Sequence, residues 1–116
     1  MITRRDAIKL GTSAAIAAAA RLDSQTPPSA PDLCFLPARK MADLIRTKKL
    51  SSRELMEAHL QQVARVNPKV NAIVTLVPED QLMAEAKAAD EAVARGEIRG
   101  PLHGVPVAVK DLVDTK

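Results

Sequence analysis

Gly100-Pro-Leu-His-Gly-Val-Pro-Val-Ala-Val-Lys-Asp-Leu-Val-Asp-Thr115 is the stretch on which the reading of this chain turns. Gly100, Pro101, Gly104 and Pro106 specify a stiff, sharply turning loop. Val105, Val107 and Val109 form a short β-branched run that predicts a buried strand. Lys110 closes that run, where an unpaired charge is costly. Three environments suit such a lysine: an ion pair, a solvated strand tip from which it snorkels, or a site that holds it neutral for chemistry. Alternation along a strand puts Lys110 on one face with Ala108 and Pro106, and the three valines on the other. The small Ala108 leaves room beside the lysine stem, and the valines would seal the strand into a core.

Working outward, the bulk properties bound what that strand can belong to. The chain has 116 residues, enough for one small domain. It holds a single aromatic residue, Phe35, and much of its apolar content is alanine, which buries little area per residue. An independent core would be thin, and a parallel sheet needs more strands across helical crossovers than this chain contains. The expectation is a piece of something larger. The formal net charge is +3, of which residues 1–20 carry +2, so the remainder is close to neutral. No basic stripe remains for nucleic acid. The single Cys34 makes no internal disulfide and fits no metal spacing, so neither a metal nor a cofactor is expected.

Residues 1–20 read as a targeting segment. Met1 to Lys9 form a basic n-region, Leu10 to Ala20 a weakly apolar stretch, and Ala18-Ala19-Ala20 an Ala-x-Ala cleavage site before Arg21. Thr3-Arg4-Arg5-Asp6-Ala7-Ile8-Lys9 resembles the twin-arginine export signal. The resemblance implies the twin-arginine export machinery as a partner and a periplasmic or extracellular destination. The alternative is an alanine-rich amphipathic helix. The apolar stretch is too short for a stable membrane span, which takes about 20 residues.

Residues 21–37 form a proline-rich linker, with Leu33, Phe35 and Leu36 tucking against the domain beyond it. A first helix is predicted over residues 38–49, with Met41, Leu44, Ile45 and Lys48 on one face. Ser51-Ser52-Arg53-Glu54 is a capping box opening a second helix that runs to Val66 and ends at Asn67-Pro68. Its stripe is Leu55, His59 or Leu60, Val63 and Val66. A strand is expected at Ala72–Leu76. Pro78, Glu79 and Asp80 start a third helix with the seam Leu82, Ala86, Ala89 and Val93, and Gly96 is its left-handed cap. The order helix, helix, strand, helix, strand predicts an α/β fold over residues 38–116.

The segment from Gly100 to Asp111 closely resembles the catalytic-lysine segment of the amidase signature family. Leu50-Ser-Ser-Arg-Glu-Leu, Asn67-Pro-Lys-Val-Asn-Ala-Ile-Val-Thr75 and the alanine-rich helix are similar to the approach to it, so the resemblance covers about residues 38–116. It implies the N-terminal helices and first strands of a mixed-sheet fold. It also implies a Ser–cis-Ser–Lys apparatus that hydrolyses carboxamide C–N bonds through an acyl-enzyme, with Lys110 as its lysine and a small-molecule amide as substrate. The chemistry is coherent, since a serine hydroxyl needs an adjacent base and an amine kept neutral by its surroundings can serve.

His103 could be a general base, but its place in the turning loop favours a structural hydrogen bond. Asp111 and Asp114 could orient the site or be solvated turn carboxylates. The family's two serines lie beyond its lysine in a Gly/Ser-rich segment. The serines here are Ser13, Ser24, Ser29, Ser51 and Ser52, and none lies in such a segment. The expectation is an amidase fragment that supplies the lysine and is inert alone. Two alternatives stand beside it. One is a piece of a glutamine-dependent amidotransferase. The other is a non-enzymatic helical module that binds a partner through an exposed seam of Leu82, Ala86, Ala89 and Val93.

Overall fold

A computed structural model of the chain describes residues 29–112. The expected targeting segment, residues 21–28 of the linker, and Asp114 lie outside the described residues. Four helices follow one another: α1 (Ala30–Leu33), α2 (Ala38–Arg46), α3 (Ser52–Val70) and α4 (Glu79–Ala94). The longest pair, α3 and α4, pack along each other, with α1 against α3 and α2 against α4. The core at their meeting consists of Leu33, Met41, Ile45, Leu55, Ala58 and Val93. Cys34, Leu36, Leu50 and Val105 pack around it half-buried.

Local chemistry explains each boundary. The start of α3 is the most fully satisfied. The Ser51 hydroxyl accepts from the Glu54 amide at 3.1 Å, while the Glu54 carboxylate accepts from the Ser51 amide and hydroxyl, each at 2.8 Å. This is the capping box that the sequence predicts. The Ser51 amide and then its hydroxyl hold the Glu54 carboxyl below the usual carboxylate range. Helix α4 closes on Gly96 at φ 78°, where Gly96 and Glu97 donate to the carbonyls of Val93 and Ala92. That is a Schellman cap, again as expected.

Helix α2 ends the same way but three residues before the expected Lys49. Lys48 takes the left-handed position at φ 58°, with Lys48 and Lys49 donating to Ile45 and Leu44. A lysine there lacks glycine's freedom, so the sequence gives no stop signal at that point.

Helix α3 runs through Pro68 to Val70, beyond the expected end at Val66. Proline's φ is helical, and in the last turn its missing amide hydrogen costs one bond. Asn71, left-handed at φ 46°, is the cap. The linker expectation is corrected in one place: residues 30–33 form a helical turn. The Asp32 carboxylate accepts from the Ser29 amide at 3.3 Å and from the Ser29 hydroxyl. Leu33 and Leu36 do tuck in, but Phe35 is 75% exposed.

The expected α/β class is present here only in its helical part. Among the described residues no strand forms, and both predicted strands are corrected to unpaired extended or bent backbone. Alternating β-branched residues favour extension, but a strand also needs a hydrogen-bonded neighbour, and neither segment has one here. Residues 72–77 follow α3 and are pinned at one point. The Asn67 side chain accepts from the Ile73 amide at 2.9 Å and donates to the Ile73 carbonyl at 3.0 Å, imitating a strand partner for one residue. The seam of α4 is covered rather than exposed: Ala86 and Val93 are buried, and Leu82 and Ala89 half-buried. This removes the surface on which a separate partner-binding module was expected to rest.

Candidate active site

The loop that carries the candidate site leaves α4 at Gly96 and returns to the core at Val105. Its turn is built by the His103 amide donating to the Gly100 carbonyl at 3.2 Å and the Val105 amide to Leu102 at 3.1 Å. His103 ties the turn to α4. Its Nε2 lies 3.0 Å from the Ala89 carbonyl, and its Nδ1 faces the Arg99 amide at 3.4 Å. An amide N–H can only donate and a carbonyl can only accept, so the arrangement assigns the proton to Nε2. The residue is thus committed on both nitrogens to backbone, as a structural histidine rather than a general base.

Gly104 is the point of closest approach. Its φ is 77°, and a Cβ built there would lie 2.1 Å from the Ser52 hydroxyl oxygen, 3.3 Å from Ser52 Cβ and 3.4 Å from Ile45 Cγ2. Ser52 is 1% exposed, and its hydroxyl has no hydrogen-bond partner. The Ser52 amide does have one. It donates to Asp90 at 2.6 Å, and the Arg53 amide donates to the other oxygen of the same carboxylate at 3.2 Å. Asp90 on α4 therefore caps the first two amides of α3 from outside that helix. Ser51 and Ser52 are occupied by this helix start. Neither meets Lys110: Ser51 caps the helix with its side chain, and Ser52 is held through its amide by Asp90.

Beyond Val105 the chain leaves the core. Val107 is 84% exposed, Val109 54% and Leu112 84%, so the expected sealing of the valines is corrected. Lys110 lies on this extended run, exposed, and no hydrogen bond or ion pair joins it to another described residue. Asp111 is exposed in a turn. The crevice between α2 and the loop, lined by Ala42, Ile45, Ile98, Gly100, Pro101 and His103, is shallow and does not reach Lys110. No group of three His, Cys, Asp or Glu among the described residues is placed to hold a metal ion. No described helix is long and apolar enough to cross a membrane. Of the sequence-predicted residues, then, the structure brings His103 and Gly104 onto the helices and leaves Lys110 standing off them.

Asp90 and the Ser52–Gly104 contact were not expected. Asp90 is one acid among several on α4, and its target lies 38 residues earlier. The one available signal was Gly104, a glycine opening a β-branched run, which often marks a close backbone approach.

With this geometry in view, comparison with known proteins places the chain. The amidase family model matches residues 54–116. The chain is 46% identical over 85 residues to the A subunit of glutamyl-tRNA(Gln) amidotransferase of Dehalococcoides mccartyi, covering 73% of this chain and 17% of that protein. It is 42% identical over 95 residues to a protein assigned as an amidase, AmiD, of Mycobacterium tuberculosis, covering 80% of this chain and 20% of that protein. The corresponding amidotransferase protein of Granulibacter bethesdensis is 47% identical over 81 residues, covering 70% of this chain and 15% of that protein. No solved structure matches. The chain belongs to the amidase family. It spans a fifth or less of the length of these curated relatives, 15–20%.

Proposed function

We propose that this chain is the N-terminal part of an amidase that hydrolyses carboxamide C–N bonds through a serine acyl-enzyme, and that it supplies Lys110 as the catalytic lysine. The observation that carries the reading is the family match through residues 54–116, which includes the whole segment from Gly100 to Asp111. In the proposed mechanism a neutral Lys110 amine takes a proton, through a bridging serine, from the nucleophilic serine as it attacks the amide carbon. The same proton then goes to the departing amine, and water releases the acyl group. On this reading neither Ser51 nor Ser52, both held at the start of α3, is one of the two serines, and these 116 residues alone would not turn over an amide. An exposed Lys110 fits that reading: an amine becomes a base when surrounding structure disfavours its charge, and the missing sheet and serines would provide that structure.

The relatives named as amidotransferase subunits favour a second reading, in which the parent protein releases ammonia from glutamine for transfer to a tRNA-linked substrate. The twin-arginine-like Arg4-Arg5 segment argues for an exported hydrolase instead. The coding sequence after Lys116 is the first test. It should continue in frame into a Gly/Ser-rich segment bearing two serines, and a stop codon there, with no such segment, sinks the proposal. Export is tested by Arg4→Lys with Arg5→Lys, which should hold the precursor in the cytoplasm; unchanged secretion defeats that part.

A further inference from the structure

We propose that Ser52, His103 and Gly104 form a positioning clamp that sets the register of the Lys110 segment on the α3–α4 junction. This rests on the role assigned to Lys110 above, and adds residues that act through it. Three observations meet at one place. Gly104 lies so close to Ser52 that a Cβ would come within 2.1 Å of its hydroxyl oxygen. His103 holds the Ala89 carbonyl of α4 at 3.0 Å. Val105, the next residue, packs on the core formed by Ile45, Leu55 and Val93. The clamp stands on a fixed base, because Asp90 of α4 binds the Ser52 amide at 2.6 Å.

The consequence for Lys110 is geometric. In extended chain the side chains alternate, so a slip of one residue moves every side chain to the opposite face. From Val107 to Lys110 the segment is exposed, so nothing among the described helices corrects a slip. Register is therefore fixed upstream, where Gly104 contacts Ser52 and Val105 enters the core. If the clamp lifts, Val109 or Asp111 would take the orientation of Lys110. The Ser52 hydroxyl, buried under Gly104 and with no protein partner among the described residues, lies at the point where the loop is pressed onto α3.

The test uses the 116-residue chain and reads amide exchange by NMR. Gly104→Ala should speed exchange of the Val105 amide at least about tenfold, while α3 and α4 amides keep their protection. Ser52→Ala with Gly104→Ala removes the obstructing oxygen and should recover part of the lost protection. Unchanged Val105 exchange in Gly104→Ala, or no recovery in the double variant, overturns the clamp. Should Gly104→Ala unfold the whole chain, His103→Ala and His103→Gln decide. The glutamine keeps a donor for the Ala89 carbonyl, so it should preserve Val105 protection where alanine loses it; equal behaviour of the two refutes the proposal. These readouts need no turnover, so a failure of the amidase reading would leave them standing. In the longer enzyme, loss of the clamp should lower kcat by tenfold or more with KM little changed. A proportionate fall in active protein, with kcat per folded molecule unchanged, would reduce the clamp to a purely structural contact.

Discussion

Ser52 has an amide that is fully used and a hydroxyl that is not. A buried hydroxyl without a partner carries its desolvation penalty uncompensated, about 1–3 kcal/mol. The capping duty rests on Ser51, not Ser52. Ser52→Ala is therefore expected to raise stability by about 1 kcal/mol, seen as a higher urea midpoint with an unchanged m-value. A loss of stability would show that the hydroxyl is satisfied in solution. Glu54, next but one, gives a pH signature. Its carboxyl is held below the usual range by Ser51, so the folded state binds this proton less readily than the unfolded chain. Its contribution to stability is present above the unfolded value of about 4.3 and is lost as pH falls through the lower folded value. Glu54→Gln should flatten that acid-side loss in urea titrations between about pH 5 and pH 3, a window set by the unfolded value. An unchanged slope would count against the capping box. Cys34 adds a chemical handle. Burial pushes its thiol up, with Arg65 opposing, and Sγ lies 3.4 Å from the Ala58 carbonyl. Alkylation at neutral pH should therefore be slower than for an unstructured cysteine peptide.

At the level of elements, the junction of α3 and α4 is tied by hydrogen bonds as well as packing. Asp90 closes it with two charge-assisted bonds to the amides of Ser52 and Arg53. Asp90→Ala is expected to cost about 2 kcal/mol and to fray the first turn of α3, visible as faster exchange of those two amides. An effect within experimental error would mean that water caps the helix equally well. This element also shows what can be read from residues alone. The Ser51–Glu54 box and the Gly96 cap were legible because their partners lie within a turn of each other. Asp90 was not, because the residue it serves is joined to it only by the fold. The end of α2 was hidden for a different reason: Lys48 occupies a left-handed position that normally announces itself with glycine. The strands were legible as extended tendency, in Val105-Pro-Val-Ala-Val and around Ile73, but pairing is a property of two segments and cannot be read from one.

Taken whole, the molecule is a small helical base with an extended arm. Its core is thin, and three of its buried residues on the longest helices are alanines: Ala58, Ala86 and Ala92. Leu55 is the best-buried large side chain at 0% exposure, so Leu55→Ala should remove about 2–5 kcal/mol, a large share of what so small a core supplies. The apolar groups that a larger protein would cover stand outward, at Val74, Leu76, Val107, Val109 and Leu112. Membership of the amidase family was legible in the twelve residues from Gly100 to Asp111, which the family match includes. The proposed site was legible only as a lysine on a β-branched run, Lys110. On the proposed reading, the base and clamp would set the register in which the arm presents Lys110. Amide turnover by the full-length enzyme carrying Lys110→Ala tests this most directly. Hydrolysis should be lost with circular dichroism and thermal unfolding essentially unchanged; turnover near that of the unsubstituted enzyme would contradict the role given to Lys110.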